Sequence, residues 1–335
     1  MSERVIQLGH GGGGLLSRAL IAQEISSRFG DGPLKGLPDG ALLPDPSGRL
    51  VFTTDSFVVR PVVFPGGNIG DLAVHGTVND LAVCGAVPKW ISLALILEEG
   101  LSFAVLRTVL DSVRRAADAC GVQVVTGDTK VVEKGRGDGI YVNTAGIGLA
   151  MDGFLLSPDA AVPGDAVLVS GPLGDHGMAV MAVREGIRVS GDLTSDSAPV
   201  HRLVQALLPW AAHVRFMRDP TRGGAAATLN EITGGRSIGI ALREADIPFS
   251  RGARGLAEML GFDLLHVASE GRLICICAET VADDILSAWR ALPEGRGAAR
   301  TGTVNREAGR VTLETVTGGR RIVDVPQGEL LPRIC

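Results

Sequence analysis

Strands are predicted where β-branched and apolar residues run together between turn-forming residues. Residues 50–59 (LVFTTDSFVV) are rich in β-branched side chains, and residues 89–98 (KWISLALILE) form an apolar run typical of a buried strand. Two further runs, 122–129 and 140–150, have the same character. These four runs predict a sheet in the first half of the chain.

Helices are predicted where apolar residues recur at helical spacing. Residues 69–86 have this pattern, and Gly85 is placed to end the helix. Residues 102–121 are amphipathic, with Ser102 to cap the first turn and Gly121 to stop the last one. Together with the strands, these two helices complete one α/β unit.

The chain divides into two such units, at residues 46–151 and 155–325. The second opens with a tight turn and a strand at 163–171 (PGDAVLVSG). The chain has more predicted strands than a regular alternation of strand and helix would give. This favours an α/β fold of the α+β type, with mixed or antiparallel sheets, over a doubly wound one. Further helices are predicted at 176–186, 198–212 and 225–235, and further strands at 237–242, 272–278 and 310–316.

Both ends of the chain have the composition of mobile segments. Residues 1–45 are rich in Gly and Pro and contain one helical stretch, 15–29. The tail, residues 326–335, contains Pro326 and Pro332 and ends in Cys335. Ten extended residues span about 30 Å. We therefore expect a mobile Gly-rich arm, two domains, and a flexible tail that lets Cys335 reach a site away from its anchor.

Composition excludes several classes of function. The net charge is -5 without a basic run, and aromatic residues make up only 4%, so we expect no nucleic acid partner. Neither a signal peptide nor an apolar stretch of membrane-spanning length is visible. The five cysteines lack disulfide or zinc spacing, and Cys275 and Cys277 alternate with isoleucines as core residues do. We expect a cytoplasmic protein with reduced thiols and no membrane association.

Three aspartates in turns between apolar elements are candidate metal ligands. They are Asp55 in TTDS, Asp80 in TVNDLA and Asp128 in TGDTK. Carboxylates clustered without Cys or His suit Mg²⁺ that also holds phosphates, and Lys130 could neutralise phosphate charge. The alternative is that each is a solvated loop carboxylate, as most aspartates are.

Glycine clusters add candidates for phosphate binding. They lie at residues 10–14 (HGGGG), 64–71 (FPGGNIGD) and 219–224 (DPTRGG), and each can present backbone N–H groups. Such clusters are also common in ordinary turns. Neither a P-loop nor a dinucleotide-binding fingerprint is present, so ATP would require a different architecture.

These segments, in this order, resemble the HypE family of hydrogenase maturation factors. That family belongs to the PurM-like ATP-dependent enzymes, which include aminoimidazole ribonucleotide synthetase, selenophosphate synthetase and thiamine-monophosphate kinase. The aspartate segments and DPTRGG indicate the superfamily, and the final PRIC indicates HypE. Asn68 and Ser269 stand where family members often have Asp and Asn.

The resemblance implies a PurM-like two-domain fold and a reaction. In the family, the cysteine at position 335 would receive a carbamoyl group from the partner HypF. The thiocarboxamide would be dehydrated with ATP to a thiocyanate. The cyano group would then pass to iron held by HypC and HypD, and become a cyanide ligand of NiFe hydrogenase. PurM-like proteins are commonly dimers joined through their N-terminal domains, so a homodimer is also implied.

The resemblance also implies roles for individual residues. Glu270 in SEGRL would act as the base, although it could equally be a strand-start residue paired with Arg272. His176 is a weaker candidate for proton transfer. Mg²⁺ would be held by Asp55, Asp80 and Asp128, the carrier would be Cys335, and ATP would be bound by Gly11, Gly12, Gly13, Thr77, Asn79, Asp80, Lys130, Asp219 and Arg222.

Two other functions remain open at this point. A kinase or synthetase acting on a free small molecule would keep its activity without Cys335. A non-enzymatic scaffold for maturation partners would not hydrolyse nucleotide. The carboxylates with Lys130 argue against the scaffold, and Cys335 argues against the free substrate.

Overall fold

The computed structural model describes residues 4–30, 32–35, 37, 38, 40–188, 193–325, 331 and 333–335. Pro326 and Pro332, which the sequence places in a flexible tail, lie outside these residues. The helices described are α1 (Leu15–Leu20), α2 (Ser27–Phe29), α3 (Ile69–Val83), α4 (Phe103–Cys120), α5 (Asp175–Arg184), α6 (His201–Gln205), α7 (Gly224–Thr233), α8 (Arg251–Leu260) and α9 (Ala282–Arg290). The strands are β1 (Leu50–Phe57), β2 (Val63–Phe64), β3 (Gly67–Asn68), β4 (Ala86–Glu98), β5 (Gln123–Val132), β6 (Ile140–Ala150), β7 (Ala166–Val169), β8 (Val214–Arg218), β9 (Gly239–Arg243), β10 (Ile274–Cys277), β11 (Ala299–Asn305), β12 (Val311–Glu314) and β13 (Arg320–Ile322).

A four-stranded sheet with two helices on one face forms the first domain. Its order is β1-β6-β4-β5, and the pairs are antiparallel except for β4 with β5. α3 and α4 cover one face, with Leu72, Leu95 and Leu106 in the shared core. The opposite face leaves apolar side chains exposed, Phe52 at 68% among them.

Capping residues fix where the two long helices begin and end. Asn68 starts α3 by accepting from Gly70 N (2.8 Å), and its amide also donates to Ser112 Oγ of α4 (2.6 Å). As predicted, Ser102 caps α4, and Gly121 ends it with φ 66°. These caps set the position of α3 relative to α4.

The described part of the N-terminal segment packs on the first domain. Ile6, Leu20 and Phe29 are buried in its core, and Glu24 forms an ion pair with Arg107 of α4 (2.7 Å). The helical stretch expected at 15–29 is present as α1, a π-helical segment and α2. The mobility expected of residues 1–45 stays a prediction.

The second domain is a seven-stranded mixed sheet with helices on both faces. Its order is β13-β12-β9-β11-β7-β10-β8, and among the described strands β9 and β12 are its one parallel pair. Cys275 packs with Trp289 of α9 on one face, and Ile274 packs with Leu229 of α7 on the other. The structure confirms the predicted two-domain architecture with mixed sheets, and it places Cys275 in the core.

Some helices of the second domain differ from the prediction. The single helix expected at 198–212 is divided into α6 and a 3₁₀ segment, Leu208–His213, because Pro209 cannot continue an α-helix. The sequence pattern also misses α8 and α9. α8 contains Gly252 and Gly255, which lower helix propensity.

α3 joins the two domains. The amide of its Asn79 donates to the carbonyls of Ala198 (3.0 Å) and Glu270 (3.1 Å), and its oxygen accepts from Val200 N (2.7 Å). His75, one turn earlier, is hydrogen-bonded to Ser197 (3.0 Å). Residues at the ends of elements from both domains therefore meet along α3.

Replacing Asn68 by Ala should lower the free energy of unfolding by about 2 kcal/mol, because a helix cap and a buried hydrogen bond to Ser112 are both lost. Urea denaturation measures this change. Asn305 is the matched control, since its side chain accepts from Glu307 N in an exposed turn. We expect Asn305→Ala to change stability by less than about 0.5 kcal/mol. Equal losses for the two variants would contradict the assigned role of Asn68.

Candidate active site

A cavity of about 200 Å³ lies at the junction of the domains and contains an unusual concentration of acidic groups. Four carboxyl groups line it, and the thiol of Cys335 lies among them. Its walls are formed by Thr54, Asp55, Ser56, Phe57, Gly76, Asp80, Arg218, Asp219, Thr221, Arg222, Glu270 and Cys335. The structure thus brings together six residues that the sequence singles out separately: Asp55, Asp80, Asp219, Arg222, Glu270 and Cys335.

Close packing of α3 on β1 places the first two carboxylates. A Cβ on Gly76 would lie 2.8 Å from the ring of Phe57, so only glycine allows this approach. Asp80 follows one turn later and accepts a hydrogen bond from Thr53 (2.8 Å). Asp55 accepts from Ser56 N (2.8 Å).

The carboxyl groups repel one another in this cavity. Burial raises the pKa of Asp80, and the charge of Asp55 raises it further. Burial and the charges of Asp80 and Asp55 raise the pKa of Asp219 to about 7. For Glu270, burial and then the charge of Asp219 raise the pKa well above its usual range. A bound cation would relieve this repulsion.

Two of the carboxylates in this cavity suit a Mg²⁺ site that has two protein carboxylates as ligands. Among the described residues, no group of three or more His, Cys, Asp or Glu side chains could hold a metal ion. Mg²⁺, however, is usually held by one or two carboxylates and completes its ligands with water and substrate phosphates. Asp55 and Asp80 supply such a pair.

Glu270 and Cys335 are neighbours in the cavity. Burial together with the charge of Glu270 raises the pKa of Cys335 well above its usual range. Oε1 of Glu270 is buried and has no hydrogen-bond partner among the described residues. The alternative pairing of Glu270 with Arg272 is wrong, because Arg272 pairs with Asp196 (3.4 Å) and donates to Pro172 O.

Neighbouring groups hold Glu270 in place. Its N–H donates to Asp196 Oδ1 (3.0 Å), and its carbonyl accepts from Asn79. Gly271 lies so close to this segment that a Cβ would be 1.9 Å from Asp196 O. Asp196 cannot be recognised as a site residue from the sequence, because nothing in TSDSAP distinguishes it from a loop carboxylate.

Two residues expected to bind the cofactor have other roles. Both ends of the Asn79 amide are used by the domain junction, so none remains for a phosphate. Thr77 is fully buried, and its hydroxyl is bonded to that of Thr144 on β6. Both face the protein interior rather than the cavity, which corrects the expectation that they bind ATP.

His176 contacts the tail instead of the acidic cavity. Its Nε2 donates to the carbonyl of Ile334 (2.7 Å), which leaves Nδ1 to accept from the hydroxyl of Ser195 (2.8 Å). Burial lowers the pKa of His176 to about 4, so the ring is neutral. A ring occupied at both nitrogens does not fit the proton-transfer role that the sequence suggests.

A second cavity, of about 460 Å³, lies beside β5, the edge strand of the first domain. Gly11 and Gly13 of the arm lie along its rim with Asp128 and Lys130, and Gly12 lies between them. Lys130 Nζ is 3.0 Å from Asp128 Oδ2, and its hydrogen bond lowers the pKa of Asp128. The other side of the cavity is apolar, with Ile21, Ile25, Phe29, Leu34, Leu93, Leu95 and Val124.

The three aspartates expected to share one metal do not meet within one chain. Asp128 of β5 pairs with Ala94 of β4, and Ala94 pairs with Asn143 of β6. Asn143 in turn pairs with Ser56 of β1. Three strand spacings, about 14 Å, therefore separate Asp128 from the strand that carries Asp55. Asp128 also shares the exposed face with Ser56, whereas the neighbouring Asp55 points towards α3.

The DPTRGG turn is held by backbone packing. Gly224 has φ 61°, and a Cβ there would lie 2.5 Å from Leu265 O. This turn places Asp219 and Arg222 in the acidic cavity. The FPGGN turn is not in either cavity: Gly66 packs against Thr194 and Ser195. Of the described helices, none is long and apolar enough to cross a membrane.

Comparison with known proteins gives consistent matches over almost the whole chain. Residues 38–150 match the family AIR synthase related protein, N-terminal domain, and residues 162–314 match AIR synthase related protein, C-terminal domain. The carbamoyl dehydratase HypE of Rhizobium leguminosarum bv. viciae is 48% identical over 332 residues, which are 98% of this chain and 95% of that protein.

Solved structures agree with these matches. A hydrogenase maturation protein HypE in complex with ATP has a TM-score of 0.93 and 43% identity, with 98% of this chain and 99% of that chain covered. A chain of a HypE–HypF complex has a TM-score of 0.80 and 41% identity, with 92% of this chain and 100% of that chain covered.

Replacing Asp219 by Asn should raise the free energy of unfolding above that of the parent chain at pH 8. At pH 4 the two proteins should be equally stable. The pKa of Asp219 is raised from 3.8 to about 7 on folding, so the parent loses stability as the pH rises through this window. The gain at pH 8 should be on the order of a few kcal/mol and should vanish near pH 4. Denaturation at several pH values measures it.

Asp263→Asn is the control, with the opposite sign. Burial opposes ionisation of Asp263, but hydrogen bonds from His266 and Leu265 N, and the neighbouring Arg321, outweigh it and lower the pKa to about 2. This variant should lose stability at pH 8. A gain in both variants, or in neither, would show that burial of the Asp219 charge is not the cause.

Proposed function

The chain belongs to the HypE carbamoyl dehydratase family of AIR synthase related proteins, and on this premise we propose that it dehydrates a carbamoyl group carried on its own Cys335. ATP drives the conversion of the thiocarboxamide to a thiocyanate, which provides cyanide ligands for the iron of NiFe hydrogenase. The observation that carries the proposal is the position of Cys335. Its thiol lines an acidic cavity beside Glu270.

The reaction needs two steps because an amide oxygen is a poor leaving group. The oxygen of S–C(=O)–NH₂ first attacks the γ-phosphorus of ATP, a P–O bond forms, and ADP leaves. The C–O bond then breaks, phosphate leaves with the oxygen, and the nitrogen gives up its protons as S–C≡N forms. Overall, the elements of one water pass from the carbamoyl group to phosphate.

Glu270 is the base that removes a nitrogen proton. A carbamoyl group on Cys335 would lie beside it, and Oε1 has no other partner among the described residues. A base acts best when its pKa is near the working pH, and burial raises the pKa of Glu270 in that direction. Asp196 and Asn79 hold its backbone, so the carboxyl group has little freedom to turn away.

Mg²⁺ would be held by Asp55 and Asp80, where it would supply positive charge to the transferred phosphoryl group. Arg222 lies in the same cavity and provides a fixed cation for phosphate oxygens. Asp219 lines the same cavity, and its raised pKa keeps part of the population neutral near pH 7. The cavity therefore has acid, base and cation within one small volume.

ATP binds in the cavity beside β5. The apolar wall suits the adenine ring, while the backbone N–H groups of Gly11 to Gly13 and the ammonium group of Lys130 suit phosphates. Relatives of this chain include a HypE solved with ATP. This cavity and the cavity of Cys335 lie at opposite edges of one sheet, so a single chain cannot join them.

A homodimer resolves this separation. The outer face of the first sheet carries Leu50, Phe52, Val87, Trp90, Ile96, Ile147 and Leu149, of which Leu50, Phe52 and Ile96 are exposed. A continuous apolar face of this kind is typical of a surface that binds another protein molecule. Two such sheets packed face to face bring the edge β5 of one copy beside the edge β1 of the other. Asp128 and Lys130 of a second copy would then complete the site of Asp55 and Asp80.

The carbamoyl donor and the cyanide acceptor are partner proteins. A relative has been solved as a HypE–HypF complex, and we propose an equivalent HypF-type carbamoyltransferase as the donor. The HypC–HypD complex is the proposed acceptor. The role requires a free thiol, which fits the reducing cytoplasm. An enzyme acting on a free small molecule is the second candidate, but it would leave the thiol of Cys335 in the acidic cavity without a role.

Intact-protein mass spectrometry tests the reaction. With a HypF-type partner, carbamoyl phosphate and ATP, the chain should gain a carbamoyl adduct that then loses one water. Glu270→Gln should accumulate the adduct, with water loss slowed about a hundredfold or more. Cys335→Ala should never acquire the adduct, and Cys84→Ser should behave as the parent chain. ATP consumption without any adduct on Cys335 would instead favour a free substrate.

Co-expression of two inactive variants tests the shared site. In Asp55→Asn dimers and Asp128→Asn dimers, every site lacks one carboxylate. A mixed dimer has one site with both defects and one intact site, so random pairing should restore about a quarter of the parent activity. Asp55→Asn with Asp80→Asn is the control, because both belong to one cavity and no mixed dimer has an intact site. Equal recovery in the two mixtures, or recovery in neither, would contradict the shared site.

A further inference from the structure

Each of the last three residues of the sequence has its own binding partner on the body of the protein. Arg333 reaches Asp138 with its guanidinium (Nη1 to Oδ1, 2.6 Å). The carbonyl of Ile334 accepts from His176, and Cys335 lies beside Glu270 in the acidic cavity. The first of these contacts lies outside both cavities described above.

The backbone at Arg333 is also held. Its carbonyl accepts from Arg60 N (3.1 Å) and from the guanidinium of Arg184, which at the same time donates to the carbonyl of Arg60 (2.5 Å). Arg333 adopts φ 54°, a conformation uncommon for a residue with a side chain. Several contacts therefore fix the tail at this residue in one conformation.

The carboxylate of Asp138 is buried and held in position to accept a hydrogen bond from an arginine. Its side chain is only 7% exposed, and Oδ2 accepts from the hydroxyl of Tyr141 (3.0 Å). Oδ1 lies 2.6 Å from Nη1 of Arg333 and 3.5 Å from Nη1 of Arg60, so Arg333 is its closer cation. The connection between β5 and β6 that carries Asp138 is fixed in turn. Glu98 accepts from Gly135 N (2.5 Å) and from Gly139 N (2.8 Å), on either side of Asp138.

We propose that Asp138 is a positioning residue that selects arginine at position 333 and thereby sets how much of the time Cys335 is docked in its cavity. A charge-assisted hydrogen bond to a buried carboxylate strengthens docking more than a surface ion pair does. Arg333 is itself half exposed, so the contact is strong enough to hold the tail and weak enough to be broken. The need for reversible docking rests on the proposed function, whereas the contact itself does not.

The alkylation rate of Cys335 measures docking directly. A docked thiol is partly buried and has a raised pKa, so it should react slowly with iodoacetamide, and a released thiol should react as an ordinary one. The full-length protein is treated for different times without ATP or partners, then cleaved after Glu329, which isolates Cys335 in the peptide 330–335. Cys84 is exposed and serves as an internal reference in every sample.

Asp138→Asn should raise the alkylation rate at Cys335 about five- to thirtyfold, because a charged hydrogen bond is lost. A larger factor is not expected, since Arg333 is half exposed and solvent weakens the interaction. The rate at Cys84 should not change, and Cys120, Cys275 and Cys277 should stay protected, which shows that the fold is intact. Arg333→Met should also raise the rate, and the double variant should react no faster than Asp138→Asn alone, because Asp138→Asn already removes the contact with Arg333.

Glu307→Gln is the matched control, because Glu307 forms an ion pair of the same length with Arg320 (2.6 Å) on β13. It should leave the rate at Cys335 unchanged. The proposal is overturned if Asp138→Asn has no effect, or if the factors of the two single variants multiply in the double variant. Because this assay involves no ATP or carbamoyl group, its result is independent of whether dehydration occurs.

Discussion

Several carboxyl groups share one small cavity, and the rest of the site is arranged around the free energy that this costs. The pKa of Asp219 rises from 3.8 to about 7 on folding, which corresponds to roughly 4 kcal/mol in its charged form. Glu270 is shifted in the same direction. Apolar cores on both sides of the junction must offset this penalty. Such a concentration of unfavourable charge is typical of a site that uses it for binding or catalysis.

Close backbone packing makes this arrangement possible. Gly76 lets α3 approach β1, and Gly271 lets the Glu270 segment pass beneath Asp196, at distances that no larger residue permits. Asn79, three residues after Gly76 in α3, joins these two segments through its hydrogen bonds to Ala198 O and Glu270 O. The acidic groups are therefore held by elements of both domains. A change in how the domains pack would alter every carboxylate of the cavity at once.

The sequence predicts the local structure well and the assembly of the site only in part. Periodicity and capping residues are local, so Ser102, Gly121 and most strands of the first domain could be recognised directly. The family and its two-domain fold followed from several short motifs in order, and the comparisons confirm both. Asp128 lies on a different face and at a different edge of the sheet from Asp55, and only the strand order reveals this. Likewise Thr77, Asn79 and His176 look like polar site residues in the sequence, but their partners are distant in the chain and occupy their polar groups.

A carrier thiol has two opposing requirements, since it must be held still for a reaction and released for loading. In this structure the groups that hold the tail, at Arg333 and Ile334, are separate from those that shift the pKa of Cys335. Inside the cavity, burial and Glu270 keep the thiol protonated and therefore unreactive. Once released into water, it regains the pKa and nucleophilicity of an ordinary cysteine. In the proposed function, the movement that exposes the thiol to a carbamoyl donor would therefore also activate it, without an additional group.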